Sequence, residues 1–419
     1  MMSPDSIILI AATLVGLYMA ANIGANDLAN AMGTSVGSGA LTLRRALIIS
    51  IVANLLGAVL AGGHVTNTIS KGMIHPSLLA HAPDKLMLGM FAALLASGIW
   101  VHLATVLGMP VSTTHSIVGA VVGFGILTVG ISAISWGKVI TIVISWIVSP
   151  IAGAVIAGGI YYLIREKVLR ADTPESVALR WAPYLIGVVL VTIILSFIFK
   201  GLKNLHLDLG FGEALLISIP CAAVGGLIGT VWLKALLRRR KTREDIHQDT
   251  SPLQAFFAYL QVVTACYVAF AHGANDVANA IGPLAAIFSV VKTKSVAMQV
   301  QVSVWMLAIG GIAVGGGLFA FGGKVIETVG GKITELTPVR GFCAQFGAAT
   351  TILVCSRLGL PVSTTHVLVG AVVGVGFMRG MGFLDLRLLR NIAWSWIITL
   401  PFTVALAMAL YKLLTLLFL

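Results

Sequence analysis

Apolar residues run along this chain in long unbroken windows, not in the alternation of a half-buried strand. Windows recur near 6–24, 45–62, 86–107, 112–130 and 138–164, then near 181–199 and 213–236. Five more follow near 255–272, 295–321, 341–358, 363–378 and 391–417. A helix of about 20 residues crosses the ~30 Å hydrocarbon core of a bilayer. Backbone groups find no water there, so only helices or closed barrels can span it. Continuous windows select helices, and the pattern predicts an all-α integral membrane protein of about twelve transmembrane helices.

The windows fall into two related sets. IGANDLANAMG starts at Ile23 and HGANDVANAIG at His272; GMPVSTTHSIVGAVVGFG starts at Gly108 and GLPVSTTHVLVGAVVGVG at Gly359. Between them GGHVTNTIS at Gly62 answers GGKVIETVG at Gly322. Asp27 stands 85 residues before Ser112, and Asp276 stands 87 before Ser363. Blocks repeated in the same order at nearly the same spacing mark an internal duplication. We divide the chain into a first repeat over 1–165, two central spans with a basic loop over 166–250, and a second repeat over 251–419. Seven windows separate the start of one repeat from the start of the next, an odd number that turns the second repeat upside down in the membrane. Inverted repeats place a transported solute near the midplane, where the halves meet on broken or re-entrant helices.

Composition agrees with this picture: 58% of the 419 residues are hydrophobic and only 10% charged, against about 25% charged in soluble domains. The net charge of +12 does not imply nucleic acid, because the surplus lies in short loops beside spans, where it orients the protein. Arg44, Arg45, the cluster Arg165, Lys167, Arg170 and Arg180, the run RRRKTR from Arg238, and Arg379, Arg387 and Arg390 would lie inside. Lys71, Lys85, Lys200, Lys203, Lys292 and Lys294 fall on the other side, so the bias is incomplete; the basic run decides for both termini outside. Cys221, Cys266, Cys343 and Cys355 sit in apolar windows without metal-like spacing and read as free thiols. The first apolar stretch follows MMSPDS, with no basic flank, and reads as a retained span.

Two motifs carry the candidate chemistry. Asn26, Asp27 and Asn30, with their counterparts Asn275, Asp276 and Asn279, stand at the end of an apolar span. A carboxylate at membrane depth is costly unless paired with a cation or a proton, and such residues mark ion paths. Oxygen ligands of this kind suit a hard cation such as sodium. In the second motif Pro110 and Pro361 bar a helix from upstream, Ser112 and Ser363 suit N-caps, and Thr113, Thr114, Thr364 and Thr365 add hydroxyls to the first turn. A helix N-terminus of this kind binds anions through free N–H groups and its positive dipole end. Two of them, approaching from opposite directions, would clamp one anion. Helix capping alone is the plainer alternative for both motifs. Neither motif contains Lys or Arg, so a bound dianion can be released again. His115, His272 and His366 lie close by as packed neutral rings, proton carriers or anion ligands.

At these residues the chain resembles the inorganic phosphate transporter (PiT) family, through both GAND-x-x-NA motifs, both P-V-S-T-T-H motifs and the duplication. The resemblance implies a dimeric symporter that imports phosphate by alternating access, coupled to sodium or to protons. It places the coupling ion on Asp27 and Asp276, and phosphate on Ser112, Thr113, Thr114, Ser363, Thr364 and Thr365; to these we add Asn30 and Asn279 as sodium ligands and Asn26 and Asn275 as phosphate ligands. Sodium is the expected coupling ion. A proton-coupled carrier of phosphate or metal–phosphate complexes and a sulfate permease are the alternatives. Asn54 and Gln345 stand where many members carry glutamate, which puts a proton-linked role at those positions in doubt. No cofactor, nucleic-acid partner or enzymatic activity is expected: no G-x-S-x-G or H-E-x-x-H accompanies the intramembrane Asp, Ser and His. The compact chain and short central loop point to a bacterial or archaeal inner membrane.

Overall fold

The computed structural model describes residues 4–62, 74, 76–201, 209–241, 252–297, 300, 302–357 and 362–418. Most of the GGHVTNTIS block, the loop 242–251, Lys71, Lys203, Gly359 and Pro361 lie outside the described residues. Each predicted window overlaps a helix, although the one near 295–321 is helical only from Val304. The first repeat holds α1 (Pro4–Ile23), α2 (Ala29–Gly37), α3 (Leu43–Ala61), α4 (Pro83–Val106), α5 (Thr113–Val129) and α6 (Trp136–Ile164). The central pair is α7 (Pro174–Ser196) and α8 (Phe211–Lys241). The second repeat holds α9 (Pro252–Asp276), α10 (Ala278–Thr293), α11 (Val304–Phe321), α12 (Pro338–Arg357), α13 (Thr364–Arg379) and α14 (Leu386–Phe418).

Among the described residues nine helical stretches are long and apolar enough to cross a membrane. The shorter apolar helices, Thr113–Val129 and Thr364–Arg379, are α5 and α13. At 17 and 16 residues they rise only about 25 Å, and both begin among buried residues. They are therefore interior half-spans and not full crossings. α12 is absent from the nine because Arg340, Gln345, Thr350 and Thr351 dilute its hydropathy.

The GAND motifs differ from expectation in one respect. Instead of ending a span, the first motif forms a π-helical turn, Gly24–Leu28, and the chain runs on as α2. The second lies where α9 meets α10, at Val277. Polar residues are tolerated inside these long helices because tip residues of other helices satisfy them.

The repeats interleave. α1 packs on α11 and α9 on α3; α5 packs on α14 and α13 on α6; α4 packs on α10 and α12 on α2. Each contact thus recurs when the repeats are exchanged, so neither half is complete alone. The interleaving demands close backbone approach at the motif glycines. A Cβ at Gly24 would fall 1.7 Å from the Val314 carbonyl oxygen, and one at Gly273 would fall 2.0 Å from the Asn54 carbonyl oxygen. Large apolar side chains such as Leu14, Ile147, Val155, Leu216, Leu227 and Leu416 point outward and exposed. An apolar surface on that scale is stable only when lipid or another protein surface covers it.

Candidate functional site

The two PVSTTH segments build matching helix tips. Ser112 (φ −91°, ψ 120°) and Ser363 (φ −88°, ψ 116°) are extended, and each accepts a hydrogen bond in its hydroxyl oxygen from the backbone N–H three residues on. Those donors are His115 at 3.2 Å and His366 at 3.3 Å. Both serines are N-caps, as the sequence predicts.

Asp27 joins the tips. Its Oδ2 accepts from the Thr113 hydroxyl at 2.5 Å and its Oδ1 from the Thr365 hydroxyl at 2.7 Å. The carboxylate is 4% exposed, so these donors stand in for water. The asparagines cross between repeats. Asn30 donates to Thr365 Oγ1 at 3.0 Å, whereas Asn279 donates to Thr113 Oγ1 at 3.1 Å and Thr114 Oγ1 at 3.2 Å. Thr364 donates to Asp276 Oδ2 at 3.2 Å. Six residues predicted as ligands (Asp27, Asn30, Thr113, Thr114, Asn279 and Thr365) therefore form one connected network, and Thr364 with Asp276 forms a bonded pair beside it.

Two predicted phosphate ligands are oriented differently. Asn26 donates to Thr105 Oγ1 and to the Met109 carbonyl, both at 3.0 Å, and accepts from the Val111 N–H at 3.0 Å. Its amide thus clamps the segment that leads into the first tip. Asn275 donates to the Ala271 carbonyl of its own helix at 2.9 Å.

A potential cation site adjoins the network. Ligand atoms of Asp27, His272 and Asp276 all lie within 4.8 Å of one another, and all three residues are buried. His272 Nε2 is 3.4 Å from Asp276 Oδ2, and its Nδ1 is 3.1 Å from Asn54 Oδ1. Two carboxylates this close in a low-dielectric interior repel unless a cation or proton sits between them. The Asn54 amide continues to the Gly311 carbonyl at 3.3 Å. Gln345 donates to the Ala31 carbonyl at 2.7 Å and so reaches α2.

Tryptophans complete the tips. Trp146 stacks on His115 with ring centroids 3.3 Å apart, and Trp396 stacks on His366 at 3.7 Å. Trp396 also donates to the Pro110 carbonyl at 2.8 Å, tying the second repeat to the first tip. Sequence reading missed both rings. The repeated SWI at Ser145 and Ser395 was the signal that could have found them.

Fold and site together define an integral membrane protein whose two repeats enclose a buried centre of carboxylates, amides and hydroxyls. The model of the phosphate transporter family matches residues 23–407. A Haemophilus influenzae protein named as a phosphate permease is 42% identical, over 92% of this chain and 91% of its own. The chloroplastic inorganic phosphate transporter 2-1 of Arabidopsis thaliana is 41% identical, over 95% of this chain and 70% of its own. A solved structure titled the sodium-dependent phosphate transporter superposes with a TM-score of 0.87 at 41% identity, covering 98% of this chain and 99% of that one. The chain belongs to the phosphate transporter family: it is a membrane transporter and not an enzyme.

Proposed function

We propose that this transporter is a sodium-coupled symporter that imports inorganic phosphate by alternating access between its two repeats. The observation that carries the proposal is the Asp27 carboxylate, bonded at once to Thr113 of one tip and Thr365 of the other. Sodium bound among Asp27, Asn30, Asp276 and Asn279 neutralises the carboxylates. The threonine hydroxyls then turn from Asp27 to the anion, and phosphate lies between the two helix N-termini at Ser112–Thr114 and Ser363–Thr365. Cation and anion binding are linked because they share these hydroxyls. Each sodium entering an inside-negative membrane at 100 mV contributes about 2.3 kcal/mol. Two or more sodium ions per phosphate therefore offset the charge of the anion, and the two aspartates supply one site per repeat. Inverted repeats, a homodimer, and both termini outside a bacterial or archaeal inner membrane belong to the same reading. The name of the similar solved structure supports the choice of sodium.

Proton coupling is the second reading, favoured by His272 lying between Asp276 and Asn54. Radiolabelled phosphate uptake into proteoliposomes separates the two. Accumulation under an inward sodium gradient alone supports sodium symport. Accumulation under a proton gradient alone replaces it with proton symport. Potent competition by sulfate instead redirects the substrate assignment.

A further inference from the structure

The interior holds a run of polar side chains that leads away from the tip network. On α2, Asn30 and Thr34 follow at four-residue spacing and Ser38, the C-cap, continues the same face, with Ser35 beside them. The face starts at the site, where Asn30 meets Thr365, and ends where Gly37 and Gly39 are exposed. Gln261 and Thr264 of α9 and Gln345 of α12 close it. Ser38 donates to Gln261 Oε1 at 2.8 Å, and Ser35 and Thr264 donate to Gln345 Oε1 at 3.3 and 3.4 Å.

These contacts leave specific atoms without partners. Thr34 Oγ1 and Gln261 Nε2, both able to donate, make no hydrogen bond, although both residues are 0% exposed. Each such buried atom has given up water and gained no partner in return. A cost repeated along one line, from the site to the surface, is what a ligand's track requires. The Gln261 amide is also held in place: a Cβ on Gly341 would fall 2.1 Å from its nitrogen.

The second repeat does not share the feature. Asn279 is followed at the aligned positions by Pro283, Leu284 and Ile287, all buried. The duplication therefore did not impose the polar face; one side of the site has it and the other does not. At its outer end Arg44 and Arg45 are exposed, cations that draw an anion toward the mouth.

We propose that this face of α2, closed by Gln261 and Gln345, is the route by which phosphate passes between the paired tips and the membrane face bearing Arg44 and Arg45. Thr34 and Gln261 form a transient oxyanion subsite along it. Both are neutral donors, so the anion is held briefly and passed on. The inference rests on the phosphate-symport reading.

The test is Thr34→Cys, a small substitution at a buried position, treated with a membrane-impermeant anionic methanethiosulfonate on both faces of proteoliposomes. Reaction is scored beyond that of the unsubstituted chain with its own cysteines. The route predicts that Thr34→Cys is modified, that uptake then stops, and that saturating phosphate slows the modification. Leu284→Cys, on the other repeat, stays unmodified. An unreactive or unprotected Thr34→Cys in vesicles that transport overturns the route and leaves the symport reading intact. Equal reactivity of Leu284→Cys also overturns it. Absence of gradient-driven uptake by the unsubstituted chain overturns the symport reading, and this inference with it. Gln261→Leu keeps the volume and removes the donor; kcat for uptake falls about tenfold, the effect of one lost hydrogen bond to an anion, with KM little changed. Unchanged kcat overturns the assignment of Gln261.

Discussion

His115 and His366, the residues that close the two PVSTTH motifs, meet edge to face with ring centroids 4.3 Å apart and planes at 72°. Each is stacked on its far side by a tryptophan of a different long helix. The four rings form a continuous ladder from α6 through both tips to α14. Any separation of the tips must break the ladder at its middle contact, so the pair helps to set the energy of the closed arrangement.

The first prediction concerns that ladder. His115→Ala removes two ring contacts and leaves a void, lowering stability by about 2–4 kcal/mol. His115→Phe restores most of the loss by refilling the stack. The midpoint of denaturation in detergent, read by intrinsic tryptophan fluorescence, checks both.

Asp27 is bonded to both tips. Asp27→Asn keeps the shape, removes the charge and can accept through only one oxygen. Gradient-driven phosphate uptake in proteoliposomes is expected to fall by about a hundredfold, the effect of losing charge-assisted hydrogen bonds at a coupling site. Undiminished sodium-driven uptake in this variant and in Asp276→Asn would remove the ion-site assignment.

The caps can be tested one at a time. Ser112→Ala and Ser363→Ala each cost about 1 kcal/mol of tip stability, which weakens phosphate binding about fivefold. Because the two tips are bonded through Asp27 and meet at His115 and His366, the two caps are coupled, and the double variant departs from the sum of the single effects. Equilibrium binding of radiolabelled phosphate in detergent gives the three affinities.

Close approach at the motif glycines predicts failure of assembly. In Gly24→Ala the new methyl group meets the Val314 carbonyl, and in Gly273→Ala it meets the Asn54 carbonyl. Both obstacles are backbone atoms that no rotamer change can clear, so the cost exceeds the about 1–3 kcal/mol of ordinary overpacking. Size-exclusion profiles should show aggregation for both variants, and a monodisperse peak for Gly137→Ala, where a Cβ meets open space.

Much of this architecture is legible in the chain itself. Spanning a bilayer requires long apolar windows, so their positions along the sequence matched helices. Duplication leaves repeated words, and the words fall on residues such as Ser112 and Ser363, whose capping is a local property of one turn. The partners were a different matter. That Asn30 serves the second tip and Asn279 the first depends on the interleaving of the repeats, which joins residues as distant in sequence as Asn30 and Thr365. The use of Asn26 on the Met109–Val111 segment, the ring ladder, and the polar face of α2 likewise arise from packing between helices remote in sequence. Local chemistry is written residue by residue and survives in one dimension; contact between distant segments depends on how whole helices cross, and only the tertiary structure decides that.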